Sequence, residues 1–237
     1  LSSSLEHEIA RFREVAATQL PDSVVGVLLY GSVAKGCEGD RSDVDLLVIT
    51  EGDPTPAARE EVYAVCSRFF GERKKSISTE SLERLEAFLS VGDPFVWNVL
   101  VNGLRIVIRP PLDPVFRRVA TAEFDASTVV AFLQTKVTFS AQLLQAAAEA
   151  ASVHLHMAVL SEVQAELLKD HSPVSVTDVV AVADYQYLLQ NCPPGHLREL
   201  LLAALAAHSD IASANSPLRA ITAFADSLVS RAASRSR

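Results

Sequence analysis

Little in this 237-residue chain can crosslink, chelate a soft metal or span a bilayer. Its 3 cysteines, Cys37, Cys66 and Cys192, lie far apart and show no C-x-x-C spacing. That argues against a disulfide framework and a zinc site, and for a reducing, cytoplasmic setting. No run of about eighteen apolar residues occurs, so no membrane span is expected. The start, Leu1-Ser2-Ser3-Ser4, has no signal-peptide pattern and no initiator methionine, as expected of a trimmed chain. Positive charge is also scarce: 21 Lys and Arg stand against 29 Asp and Glu, a formal net charge of −8. This balance argues against broad nucleic-acid binding, which needs clustered basic residues to neutralise phosphates. Three basic spots, Arg73-Lys74-Lys75, Arg117-Arg118 and the Arg231/Arg235/Arg237 tail, read as solvated surface or a frayed end. There is no G-x-G-x-x-G, and Gly31 to Gly36 has only the outer spacing of a P-loop, with Cys37-Glu38 where Lys-Ser/Thr is required. What is abundant is apolar material, 49% of residues, enough for a packed core and against disorder.

The chain is organised around the stretch from Gly31 to Asp45. An apolar run, Val24 to Tyr30, leads in, and another, Leu46 to Ile49, leads out; both read as short buried strands. Alternation along a strand puts Asp43 and Asp45 on one face and Val44 and Leu46 toward the core. Two carboxylates on one face repel unless a cation lies between them, and hard oxygen ligands suit Mg²⁺ or Mn²⁺. Gly31 permits a sharp turn and a close backbone approach, and Ser32 offers a hydroxyl and an N–H at the expected start of a short helix. Either half alone is ordinary: Gly-Ser often ends strands, and Asp-x-Asp is often a solvated strand end. Their pairing, with ten residues between Ser32 and Asp43, points to nucleoside triphosphate chemistry.

Gly31-Ser32 followed by Ser42-Asp43-Val44-Asp45-Leu46-Leu47-Val48 resembles the signature of the polymerase-β-like nucleotidyltransferases, and most of all their minimal prokaryotic branch. The resemblance covers about the first 110 residues. It implies a small mixed sheet flanked by helices, two metal ions at Asp43 and Asp45, and an NTP, expected to be ATP, held by Gly31, Ser32, Lys35 and Ser42. Lys35 and Arg41 each read either as a counter-charge to the triphosphate or as a plain exposed side chain, and Ser42 is expected to hold the turn through its hydroxyl. The family often carries a third carboxylate on a following strand. Here Ser76 and Ser78 occupy that alternating face, and the nearest acid is Glu80, which shares their parity but also reads as a helix-start acid.

The remaining elements follow from periodicity and punctuation. Ser4 is expected to cap a helix over Leu5 to Leu20, with further helices over Ala57 to Phe70, Leu82 to Leu89 and Pro94 to Val101. Ser76 to Ser78 and Leu104 to Ile108 read as strands, and Pro110-Pro111 as a domain boundary. Trp97 reads as a core or interface anchor rather than a base-stacking residue. Beyond it strand signals fade. Helices are expected from Asp125 or Ser127, over Ser152 to Asp170, Asp178 to Gln190, Leu197 to His208 and Leu218 to Arg231. The expected fold is therefore α+β: a nucleotidyltransferase domain over 1–110, then an all-α bundle over 111–237 that closes over the nucleotide or binds a twin subunit as a homodimer. Some small helical domains that accompany minimal nucleotidyltransferases are ribonucleases with Arg, four to six residues, then His; that spacing is missing from the second half. The sequence leads to a metal-dependent nucleotidyltransferase acting on a hydroxyl acceptor, with Asp43, Asp45 and Glu80 as catalytic candidates. Its rival is an inactive or slow nucleotide-binding module, antitoxin-like or regulatory, which the serines at the third-acid positions support.

Overall fold

A computed structural model describes residues 3–36, 42–119, 121–146 and 151–209. The chain divides into two compact units, Leu1–Ala122 and Glu123–Arg237. The division falls later than Pro110-Pro111. Those prolines open a 3-10 turn, Pro110–Leu112, whose Leu112 is fully buried in the first unit.

In the first unit, α1 (Ser3–Gln19) leads into β1 (Val24–Tyr30), and α2 (Gly31–Lys35) follows without a linker. β2 (Val44–Thr50), α3 (Pro56–Cys66) and β3 (Lys75–Ser81) form a strand–helix–strand unit. Then come α4 (Leu82–Ser90), α5 (Pro94–Asn102), β4 (Leu104–Ile108), the 3-10 turn and α6 (Asp113–Val119). The sheet is mixed, in the order β3-β2-β1-β4. β1 runs antiparallel to β2 and β4, whereas β2 and β3 are parallel, as a helical crossover allows.

Three expectations shift. Ser4 lies inside α1 rather than capping it. α3 stops at Cys66 instead of Phe70, with Ser67 as its C-cap; the chain then turns at Phe70 and Gly71, both at positive φ, 67° and 55°. β3 runs on from Lys75 to Ser81, and Ser81 caps α4 by accepting from Arg84 N at 3.2 Å. Glu80 is thus the last strand residue before a cap and not part of a helical first turn.

Alternation sorts the sheet. Val27 and Leu29 of β1 with Val44, Leu46 and Val48 of β2 face α1 and α3, where Phe12 packs at 5.0 Å from Phe69 and 5.5 Å from Phe70. The opposite face is closed over part of its length by α4, α5 and the 3-10 turn. Gly26 marks that closure: a methyl there would lie 2.3 Å from Leu112 Cδ1. The strand ends at Tyr30, Asp45 and Ser76 remain half-buried.

The second unit is helical, with α7 (Ala126–Ala146) and α8 (Ala151–Leu168) packed together and α11 (His196–Ser209) along α8. Asp125 caps α7 by accepting from Thr128 N at 3.0 Å. The unit is not purely helical: β5 (Glu123–Phe124) pairs with β6 (Val174–Ser175). The single helix expected over Asp178 to Gln190 is two, α9 (Val176–Ala181) and α10 (Tyr185–Asn191). Ser175 and Asp178 form a capping box on α9, and Asp184 caps α10 through Gln186 N and Tyr187 N, so each start has its own local anchor. The helix expected over Leu218 to Arg231 lies outside the described residues, as do Arg41 and the Arg231/Arg235/Arg237 tail. No described helix is long and apolar enough to cross a membrane.

Candidate active site

Gly31 sits at the junction of β1 and α2 with φ +76°, a conformation that favours glycine. The first N–H groups of a helix have no intrahelical acceptor, and the N-cap of α2, Tyr30, supplies no side-chain acceptor for them. Antiparallel pairing sets Tyr30 opposite Asp45, and the Asp45 carboxylate rests against the bare Gly31 Cα: a methyl there would fall 2.3 Å from Asp45 Oδ2. The glycine bend and the acid pair are therefore one locus. Ser32 is half-buried beside it, and Lys35 lies exposed in the last turn of α2.

Asp43 lies just before β2 and Asp45 on it. Burial, and then the like charge of Asp43, push the Asp45 carboxyl up to about 6, against smaller opposing effects of Lys74 and the Ser76 hydroxyl, which donates to it. Lys74 Nζ stands 3.2 Å from Asp43 Oδ2. That lysine belongs to a basic run that reads as ordinary surface in the sequence; only the parallel start of β3 beside β2 brings it to Asp43. Ser42, Asp43, Arg73 and Lys74 line an open cleft of about 550 Å³, which Glu8 and Glu72 also border.

β3 decides what else faces the pair. Ser76 is opposite Asp45, Ser78 is opposite Leu47, and Glu80 is opposite Ile49. Glu80 shares the face but sits four residues beyond Ser76, about 13 Å along the strand at ~3.3 Å per residue. Its Oε2 lies 3.1 Å from Arg84 Nε, close enough to pair charge without hydrogen-bond alignment. The structure thus brings Gly31, Ser32, Asp43 and Asp45 together and leaves Glu80 apart. Among the described residues no third His, Cys, Asp or Glu joins the two aspartates.

Two further side chains border the site. The Tyr30 hydroxyl is hydrogen-bonded to Ser78, and burial holds its pKa above the usual phenol value despite that bond. Phe95 of α5 meets the Tyr30 ring edge-on at 5.4 Å. Tyr30 adjoins Gly31 in the sequence, a signal of sorts; Phe95 gives none. Trp97 is 2% exposed and donates from Nε1 to Leu89 O, which makes it a core residue.

Residues 9–103 match the nucleotidyltransferase domain family. The first unit contains a nucleotidyltransferase domain of the polymerase-β-like kind. A Methanocaldococcus jannaschii protein, provisionally named a protein adenylyltransferase, is 28% identical over 89 residues, 34% of this chain and 90% of that protein. The glycine bend and the aspartate pair described above fall within the matched residues. The helical second unit lies beyond the matched residues.

Proposed function

We propose that the chain transfers a nucleoside monophosphate from an NTP, ATP for preference, to a hydroxyl acceptor. The contact between the Gly31 backbone and the Asp45 carboxylate carries this reading, because a bend suited to phosphate and an acid suited to a divalent cation then lie side by side. The Asp43 and Asp45 oxygens fit a hard divalent cation: they are close enough for one to raise the other's pKa, and an exposed lysine is the counter-charge beside Asp43. Bound Mg²⁺ or Mn²⁺ would lower the pKa of the acceptor hydroxyl and stabilise charge on the departing pyrophosphate.

The protein's own groups do the positioning. N–H groups of the first turn of α2, with the Ser32 hydroxyl, receive phosphate oxygens, and Gly31 lets them approach. Lys74 offsets negative charge beside Asp43. Ser76 orients Asp45 by hydrogen bond. The acceptor oxygen bonds to the α-phosphorus, the bond from that phosphorus to the bridging oxygen breaks, and pyrophosphate leaves while the hydroxyl proton passes to a base. The name of the Methanocaldococcus relative supports a protein side-chain hydroxyl as acceptor.

One observation favours a second reading, a nucleotide-binding module with slow or no turnover. Ser76, not an acid, faces Asp45, and loss of a general base costs about 10²- to 10⁴-fold in rate. Radiolabelled ATP with Mg²⁺ or Mn²⁺ and candidate protein acceptors separates the two. Label transfer with pyrophosphate release supports the transferase. Tight, metal-dependent binding without either supports the module. Failure to bind any nucleotide overturns both.

A further inference from the structure

We propose that Phe95 is the side chain on which the nucleobase of the bound triphosphate stacks. The inference rests on the nucleotide site proposed above and names what holds the other end of its ligand.

The large apolar side chains left exposed in the first unit include Tyr63, Phe95 and Val101. Of these three, Phe95 touches the site: its ring meets Tyr30 at 5.4 Å and 83°, and Tyr30 both precedes Gly31 and pairs with Asp45. Phe95 remains 43% exposed, so much of the ring is open to a ligand. The ring beneath it is anchored, since the Tyr30 hydroxyl is tied to Ser78.

The backbone under Phe95 is held with unusual firmness for a bare side chain. Pro94 restricts φ in the first turn of α5. Asp93, 4% exposed, accepts from Phe95 N at 2.8 Å and from Val96 N at 3.2 Å. Trp97, two residues on, is locked in the core. An exposed aromatic on a rigid mount suits a flat partner, because little freedom is lost on binding. A nucleobase has such a face, and stacking is indifferent to its hydrogen-bonding edge. Stacking should therefore rank purines over pyrimidines by stacked area, and a preference for ATP over GTP would have to come from contacts other than Phe95.

The full chain, with Mg²⁺, is titrated with ATP, GTP, UTP and inorganic tripolyphosphate by calorimetry, for the unmodified protein, Phe95→Ala, Phe95→Trp and Val101→Ala. Phe95→Ala should weaken ATP about 5- to 150-fold, the ratio for one lost stack, and leave tripolyphosphate within about twofold. Phe95→Trp should restore ATP binding, and Val101→Ala, on the same helix, should change nothing. Far-UV circular dichroism checks that each variant is folded. Unchanged ATP affinity in Phe95→Ala overturns the inference, as does an equal loss for tripolyphosphate. If the unmodified protein binds tripolyphosphate as tightly as ATP, the base contributes nothing: this inference falls and the nucleotidyltransferase reading stands. If it binds neither, the reading itself falls.

Discussion

Gly31→Ala tests the central contact most directly. The new methyl would stand 2.3 Å from Asp45 Oδ2, where ordinary contact begins at 3.4 Å. The carboxylate must therefore retreat by roughly 1 Å, and misplacement on that scale costs about 10²-fold in rate. The backbone adds its own penalty. Alanine at φ +76° costs about 1–2 kcal/mol, of which about 0.4–1 kcal/mol is returned by a stiffer unfolded chain. The net, roughly 1 kcal/mol, lowers Tm by about 2–8 °C. Gly71→Ala isolates that backbone share, since Gly71 also has positive φ but nothing within 4 Å of an added methyl. Thermal melts of both variants should thus fall by similar small amounts. Only Gly31→Ala should lose metal-dependent ATP affinity or transfer by about 100-fold. A folded Gly31→Ala protein that binds and transfers within about threefold of the unmodified chain would refute the claim that this bend and Asp45 act together.

Three further outcomes follow from the same geometry. The Asp45 carboxyl is raised from 3.8 to about 6, so the folded state binds its proton more tightly than the unfolded state. Its contribution to stability is full below about pH 4 and lost as pH rises through 6; without metal, Tm of the unmodified chain should fall across that window relative to Asp45→Asn, and Mg²⁺ at neutral pH should raise only the former. Parallel melting curves for the two would contradict this. Ser76→Asp places an acid opposite Asp45 and should raise transfer about 10²- to 10⁴-fold if a missing base limits the rate; intact ATP binding with no gain in rate would show that it does not. Trp97→Ala empties a buried, hydrogen-bonded position and should destabilise the first unit by about 3–5 kcal/mol in denaturant melts followed by circular dichroism.

The sequence by itself determined the local features: the strands at Val24–Tyr30 and Leu104–Ile108, the turn at Gly31, and the aspartate pair. Each is written in contiguous residues, by apolar alternation or by a glycine whose freedom the turn uses, and so can be read without knowing what lies beside it. Tertiary structure decided the rest. Which residue of β3 faces Asp45 depends on inter-strand hydrogen bonds between segments thirty-one positions apart, and that register selects Ser76 and leaves Glu80 far along the strand. The same pairing takes Lys74 from an apparent surface run to Asp43, and packing of α5 against β1 brings Phe95 to Tyr30. Parity along a strand is local and shows which face a side chain shares. Distance along that face is set by pairing with another strand, which is why an acid of the right parity lies in the wrong place.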